Sequence, residues 1–272
     1  MPDFGFFNQP WTASQTQIET ITIGAGVTSV GQNAFLGCTA LKSVTLPAGL
    51  QTLGVAAFSG CDALTRIELP ASLQTIGTNA LDAGGLTEIK VQTENTHFEA
   101  EGGVLYNKGQ TALLRYPPKK PGTTFAVPAS VTTIGAYAFS ECAALKSVTI
   151  PKKVETIGNF VFQLCTGLKD VTVLWNTPLT IPSGVFSGIT PPTGVTLHVP
   201  GGTGEAYQGN AVWGELTIEE LPWGDFDTGL HWAYDAANYF LTITNPTPDS
   251  PQPILNFANS TKQPWKAYRG GI

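Results

Sequence analysis

Residues 145–165 read Leu-Lys-Ser-Val-Thr-Ile-Pro-Lys-Lys-Val-Glu-Thr-Ile-Gly-Asn-Phe-Val-Phe-Gln-Leu-Cys. Residues 41–61 read Leu-Lys-Ser-Val-Thr-Leu-Pro-Ala-Gly-Leu-Gln-Thr-Leu-Gly-Val-Ala-Ala-Phe-Ser-Gly-Cys. In both, leucine, two apolar residues two apart, proline, glycine, phenylalanine and cysteine fall at the same offsets, and the next leucine arrives 23 residues on, at Leu64 and Leu168. One unit earlier stand Ile18, Ile21, Ile23, Val27, Val30-Gly31, Ala34-Phe35 and Cys38. One unit after Leu64 the offsets carry Ile67, Leu69-Pro70, Leu73, Ile76-Gly77 and Ala80-Leu81, with Gly84 in the cysteine place. The pattern restarts at Phe125 and runs through Val127-Pro128, Val131, Ile134-Gly135, Ala138-Phe139 and Cys142. Looser copies follow from Leu168 to Phe186 and from Val195 to Pro200.

A fixed period with apolar residues at fixed offsets is the mark of a solenoid, since one coil cannot bury its own face and neighbours must share a core. The alternation after each leucine predicts a short parallel strand per coil with one face inward. Proline then ends the strand, because it cannot donate to a ladder. The repeated glycine suits a tight bend where a side chain would clash. The fold expected is therefore a β-rich leucine-rich-repeat solenoid, with one parallel strand per coil of about 23 residues and short helical or turn segments.

Residues 92–124 interrupt the period. Gly103–Tyr106 and Thr111–Tyr116 flank Asn107-Lys108-Gly109-Gln110, a hairpin signature. Thr93–Glu101 before it reads as an acidic loop. The expected organisation is a lead-in over 1–17, a solenoid over 18–220 with the insert 92–124 and a cap over 201–220, then a β-hairpin segment within 221–272. Tyr207, Trp213, Leu216 and Ile218 supply the closing layer of the cap. His231–Tyr234 and Tyr239–Ile243 around Asp235–Asn238 form the second hairpin.

Composition removes several functions. Lys and Arg number 14 against 20 Asp and Glu, for a net charge of -6 with no basic run. That argues against nucleic acid, which requires a cationic footprint. No apolar stretch reaches the roughly 18 residues of a membrane helix, so no membrane insertion by this segment is expected. An apolar fraction of 42% is too high for a disordered chain.

The unit L-x-x-V-T-I-P-x-x-V-x-x-I-G-x-x-A-F-x-x-C resembles the BspA-type leucine-rich repeats over about residues 18–220. Gly103–Asn107 with Leu114–Pro117, and Leu197–Pro200 with Ala206-Tyr207 and Trp213, resemble the hairpin and the closing segment of that family. Residues 79–85 depart from it, with Leu81 for Phe and no Cys. The resemblance implies a non-catalytic bacterial cell-surface or secreted module, with protein partners such as host matrix or neighbouring-cell proteins, and no cofactor or metal. Pro10-Trp11 lies seven residues before Ile18, and Pro264-Trp265 seven before Ile272. The second pair resembles the lead-in to a further array, so a segment of a longer exported polypeptide, lacking its signal peptide and acting as a monomer, is expected.

Four cysteines at one offset, Cys38, Cys61, Cys142 and Cys165, read as a column of buried thiols; bridges Cys38–Cys61 and Cys142–Cys165 are the alternative. His97 with Glu94, Glu99 or Glu101 is a conceivable acid–base or metal group, but matches no ligand spacing and reads better as solvated. No G-x-S-x-G, HExxH or glycine-rich phosphate loop occurs. The candidate binding residues are the outward positions of the concave strand face: Arg66, Glu68, Glu88, Lys90, Lys146, Lys169, Asp170 and His198. Arg66 should neighbour Glu88, and Glu68 should neighbour Lys90, as cross-strand ion pairs. Lys146 and Lys169 are adjacent like charges that Asp170 or an acidic partner would neutralise. Six tryptophans leave a glycan-binding module as a second reading, and a passive spacer as a third.

Overall fold

A computed structural model describes residues 1–6 and 8–221, and the backbone of 223–225, 231–235 and 240–244. The chain runs β1 (Thr20–Thr22), β2 (Ser29–Val30), β3 (Ser43–Thr45), β4 (Thr52–Leu53), β5 (Arg66–Leu69), β6 (Thr75–Ile76) and β7 (Glu88–Val91). The insert gives β8 (Phe98–Glu101), β9 (Val104–Asn107) and β10 (Ala112–Arg115). Coiling resumes with β11 (Thr124–Ala126), β12 (Thr133–Ile134), β13 (Ser147–Ile150), β14 (Thr156–Ile157), β15 (Asp170–Val173) and β16 (Thr196–Val199). Helix α1 (Gly204–Gln208), β17 (Thr217–Glu220), β18 (Trp223–Asp225), β19 (His231–Asp235) and β20 (Phe240–Thr244) follow.

Each regular coil therefore carries two strands, and like strands stack in parallel. The first ladder holds β1–β3, β5–β7 and then β11–β13–β15–β16–β17; the second holds β2–β4–β6 and then β10–β12–β14. The register is in step with the period: Ile21 sits on Val44, Val148 on Val171, Leu53 on Ile76. Proline after the first strand leaves its carbonyl to open the next turn, which accepts the N–H three residues on, as in Leu50→Pro47 at 3.0 Å and Val154→Pro151 at 3.1 Å.

The repeated glycine is required by close approach. A Cβ on Gly54, Gly77 or Gly158 would lie 2.5, 2.5 or 2.4 Å from the backbone of the preceding coil. The left-handed turn comes two residues later, at Asn33, Ala56, Asn79, Tyr137 and Phe160, with φ between 52° and 59°. Inside, the large side chain of each coil stacks on the next. Trp11, Phe35 and Phe58 lie 5.4 and 5.3 Å apart by ring centroid; Phe139, Phe162 and Phe186 lie 5.3 and 5.6 Å apart. Burying each such ring is worth about 1.5–3 kcal/mol.

The insert divides this core. One buried cluster runs from Ile21 to Leu105 and the other from Val104 to Leu216. Strand β9 is buried on both faces, Leu105 facing the first cluster and Val104 and Tyr106 the second. Three expectations are corrected here. Phe98–Glu101, read as loop, is a strand antiparallel to β9, because Phe98 has a core to enter and the Asn95 carboxamide oxygen caps the turn by accepting the His97 and Phe98 N–H groups. The hairpin's second strand, β10, joins β12 in parallel, so coiling resumes at Ala112, ahead of Phe125; Tyr116 fills the phenylalanine place, 5.4 Å from Phe139. Ala83, fully buried, stands in the cysteine place, while Gly84 lies one residue beyond it in the turn.

At the far end β17 extends the first ladder, and Tyr207 and Trp213 are both fully buried. The second hairpin is formed by β19 and β20, with β18 added as a third antiparallel strand. Pro264 and Trp265 lie outside the described residues.

Candidate functional site

The expected binding residues sit on the outward side of the first ladder, in two groups that the insert keeps apart. In the first group, Arg66 faces Glu88 and Glu68 faces Lys90 in the β5–β7 register. Arg66 Nε lies 3.5 Å from Glu88 Oε2. Lys90 turns to the same carboxylate, at 3.9 Å, and Glu68 accepts a hydrogen bond from the Gln92 amide at 3.3 Å. The expected crossed pairs are thus half formed. Glu88 is the more enclosed carboxylate, so its attraction is the less screened, and the long lysine stem reaches back to it along the same strand.

In the second group the residues that meet are Asp170 and His198. His198 Nε2 lies 3.0 Å from Asp170 Oδ1, and its Nδ1 lies 3.4 Å from Glu219 Oε2. The imidazole therefore bridges three adjacent strands, since Thr172, His198 and Glu219 are register neighbours and Asp170 pairs with Thr196. Asp170 does not neutralise Lys146 and Lys169 as expected. These two exposed lysines open successive coils, the Lys169 N–H donating to the Lys146 carbonyl at 2.8 Å. Among the described residues neither shares an ion pair, whereas the equivalent Lys42 meets Glu19 at 2.9 Å.

Sequence reasoning missed the most enclosed charges, which lie between the two cores. Arg115 is 5% exposed. Its Nη1 donates to the Tyr137 carbonyl at 2.6 Å, and its Nη2 sits 2.8 Å from Asp82 Oδ1 as an ion contact rather than an aligned hydrogen bond. Burial pushes the Asp82 carboxyl up; Arg115 pulls it down and Asp62 pushes it up again. Burial, then repulsion from Asp82 and Asp62, raises Glu141. A cavity of about 180 Å³ opens here, lined by Asn79, Asp82, Leu105, Leu114, Arg115 and Tyr137 among others. The available signal was a lone arginine in the apolar run Ala112-Leu113-Leu114-Arg115-Tyr116.

The remaining candidates separate. His97 is exposed, its Nδ1 3.1 Å from Thr96 Oγ1, while Glu99 meets Lys108 at 3.5 Å. Among the described residues no cluster of histidine, cysteine and carboxylate groups suits a metal. The four cysteines are free, buried thiols; burial raises Cys38 to about 11 and pushes Cys61 and Cys142 up as well. The indole N–H groups of Trp11, Trp175 and Trp213 each donate to a backbone carbonyl, of Ala34, Val154 and Leu179, and Trp175 and Trp213 are core residues. The side chains of Trp223, Trp232 and Trp265 lie outside the described residues. Among the described residues no helix is long and apolar enough to cross a membrane.

A family model for the BspA type leucine rich repeat region matches residues 12–106 and 119–199, in six copies. Among solved structures the chain is similar to a leucine rich cell surface protein from Faecalibacterium prausnitzii, at 30% identity and a TM-score of 0.58, over 74% of this chain and 59% of that one. The chain thus spans about three fifths of that relative. It shares its fold with the pneumococcal vaccine antigen PcpA, at 20% identity and a TM-score of 0.53, over 75% of this chain and 69% of that one. No curated protein matches the sequence.

Proposed function

Since the chain belongs to the BspA-type leucine-rich repeat family, we propose that it is a non-catalytic module of a bacterial cell surface, which adheres to protein partners through the outward row of its first ladder. The observation that carries this reading is the Lys146–Lys169 pair. Coils stack at about 4.8 Å, so two like charges at one offset of successive coils, without a counter-charge, repel each other. Elsewhere in the row the cationic groups meet carboxylates, Lys42 with Glu19, Arg66 and Lys90 with Glu88, His198 with Asp170 and Glu219, while Glu68 accepts from the Gln92 amide. An acidic surface on a partner would supply what the lysines lack. The three tryptophans whose side chains are described are spent on the core or on backbone carbonyls, which leaves the glycan reading without support from them.

The test is binding of the chain to immobilised host matrix proteins and to a glycan panel, at low and high salt. Retention of a protein that weakens with salt, and that falls by about tenfold or more in the Lys146→Glu/Lys169→Glu variant, is expected. Salt-insensitive binding unmoved by the double substitution, or a response to sugars alone, would overturn it. Silence on both panels would favour a spacer.

A further inference from the structure

We infer that a second surface, the groove where the insert meets β7, holds an extended cationic peptide segment of a partner protein. This rests on the protein-binding reading above, but it turns on Glu68 and Glu94 rather than on Lys146 and Lys169. Strand β7 has a strand partner, β5, on one side only. On its other side stands the β8–β9 hairpin, which touches it through a hydrogen bond from the Ile89 N–H to the Gly103 carbonyl, 3.0 Å. Between them lies a cavity of about 870 Å³, lined by Glu68, Glu88, Lys90, Gln92, Glu94 and Gly102 among others. That is the scale of a ligand pocket, and an unladdered strand is the natural place for an extended peptide to lie.

Charge selects the occupant. Three carboxylates line the groove against one ammonium. Glu88 is already met by Arg66 and Lys90. Glu68 meets only the uncharged Gln92 amide, and among the described residues Glu94 shares no ion pair. A peptide with lysine or arginine at alternate positions would present those side chains on one face, toward Glu68 and Glu94.

The wall of the groove is formed in advance. Gly102 and Gly103 turn the hairpin with φ of 54° and 82°. The Lys120 ammonium donates to the Gly102 carbonyl. A Cβ on Gly103 would come within 3.3 Å of the Glu88 side chain, so glycine keeps the turn close to β7.

The test uses a fluorescent, end-capped octapeptide of alternating lysine and threonine, followed by polarisation with the whole chain. Binding should weaken by about tenfold in the Glu68→Lys/Glu94→Lys variant and remain in Lys146→Glu/Lys169→Glu. Both positions of the first variant are exposed, and circular dichroism checks that it folds. A peptide with proline at its centre, unable to donate to a strand edge, should bind less well than its parent. Absence of binding, equal binding of the proline peptide, or indifference to the glutamate substitutions would each overturn the inference. Loss of the acidic partner in Lys146→Glu/Lys169→Glu with peptide binding intact would separate the two surfaces.

Discussion

The coils on either side of the insert obey one repeat, yet the rung between them is built differently. Within each half, coil meets coil through ladder hydrogen bonds, a stacked ring and a glycine pressed against the backbone next door. Between the halves, β6 and β10 belong to different sheets, and the ring column is broken at Leu81. The Asp82–Arg115–Tyr137 bridge and the double-faced strand β9 take their place. Backbone repetition stabilises a rung whatever the outward residues; the junction has a guanidinium, the two faces of β9 and isolated backbone hydrogen bonds such as Ile89 N–H to the Gly103 carbonyl.

The sharpest way to break this contrast is Arg115→Ala. Removing one partner of an enclosed pair leaves the other uncompensated, at a cost of about 3–5 kcal/mol. Since each half keeps its own core, urea unfolding should also split into two transitions. A loss under about 1 kcal/mol with a single transition would mean that the apolar faces of β9 hold the halves together unaided.

A smaller effect compares the same repeat position on two successive rungs, the first of them built on β10 of the insert. A Cβ on Gly158 would meet the Ala136 backbone at 2.4 Å, whereas one on Gly135 meets the Leu113 carbonyl oxygen at 3.2 Å. Gly158→Ala should cost about 1–3 kcal/mol through overpacking, and Gly135→Ala should fall within about 1 kcal/mol of the parent. Equal losses in thermal unfolding would show that the β10–β12 rung is packed as tightly as the one after it.

The least effect concerns the acid groups beside Arg115. Glu141 has its carboxyl raised by burial and by Asp82 and Asp62, so the folded chain holds that proton more tightly than the unfolded one. Its contribution is therefore present below the ordinary carboxylate range and is lost as pH rises through the raised value. Glu141→Gln should be the more stable chain at neutral pH, with the advantage vanishing at about pH 4. An advantage unchanged by pH would locate the effect in the backbone turn.

Most of the fold was legible because every inward offset packs on its own copy in the next coil, so Leu41, Leu64, Leu145 and Leu168 report one environment. Legibility failed where that copy is missing. Phe98-Glu-Ala-Glu101 has the composition of a loop, and becomes a strand only because β9 is there to pair with it. Val104, Leu105 and Tyr106 are all buried, which no alternating pattern announces. Ala83 takes the cysteine place because that turn is one residue shorter than its copies. The strand-row charges were legible by offset, and Arg66–Glu88 formed as read. The His198 bridge to Asp170 runs diagonally between two columns, and the reach of a side chain across a sheet is not encoded in the offset of its backbone.

The alternation of laddered rungs with one bridged rung also has a mechanical meaning. A chain pulled from its two ends along the stack is loaded rung by rung, because each coil touches only its neighbours. A freed coil of 23 residues releases roughly 75–83 Å of slack. The seam at Arg115, which lacks the continuous ladder of its neighbours, is the rung expected to yield first. An anchored chain would then part into two intact spools and pay out length before either core is lost.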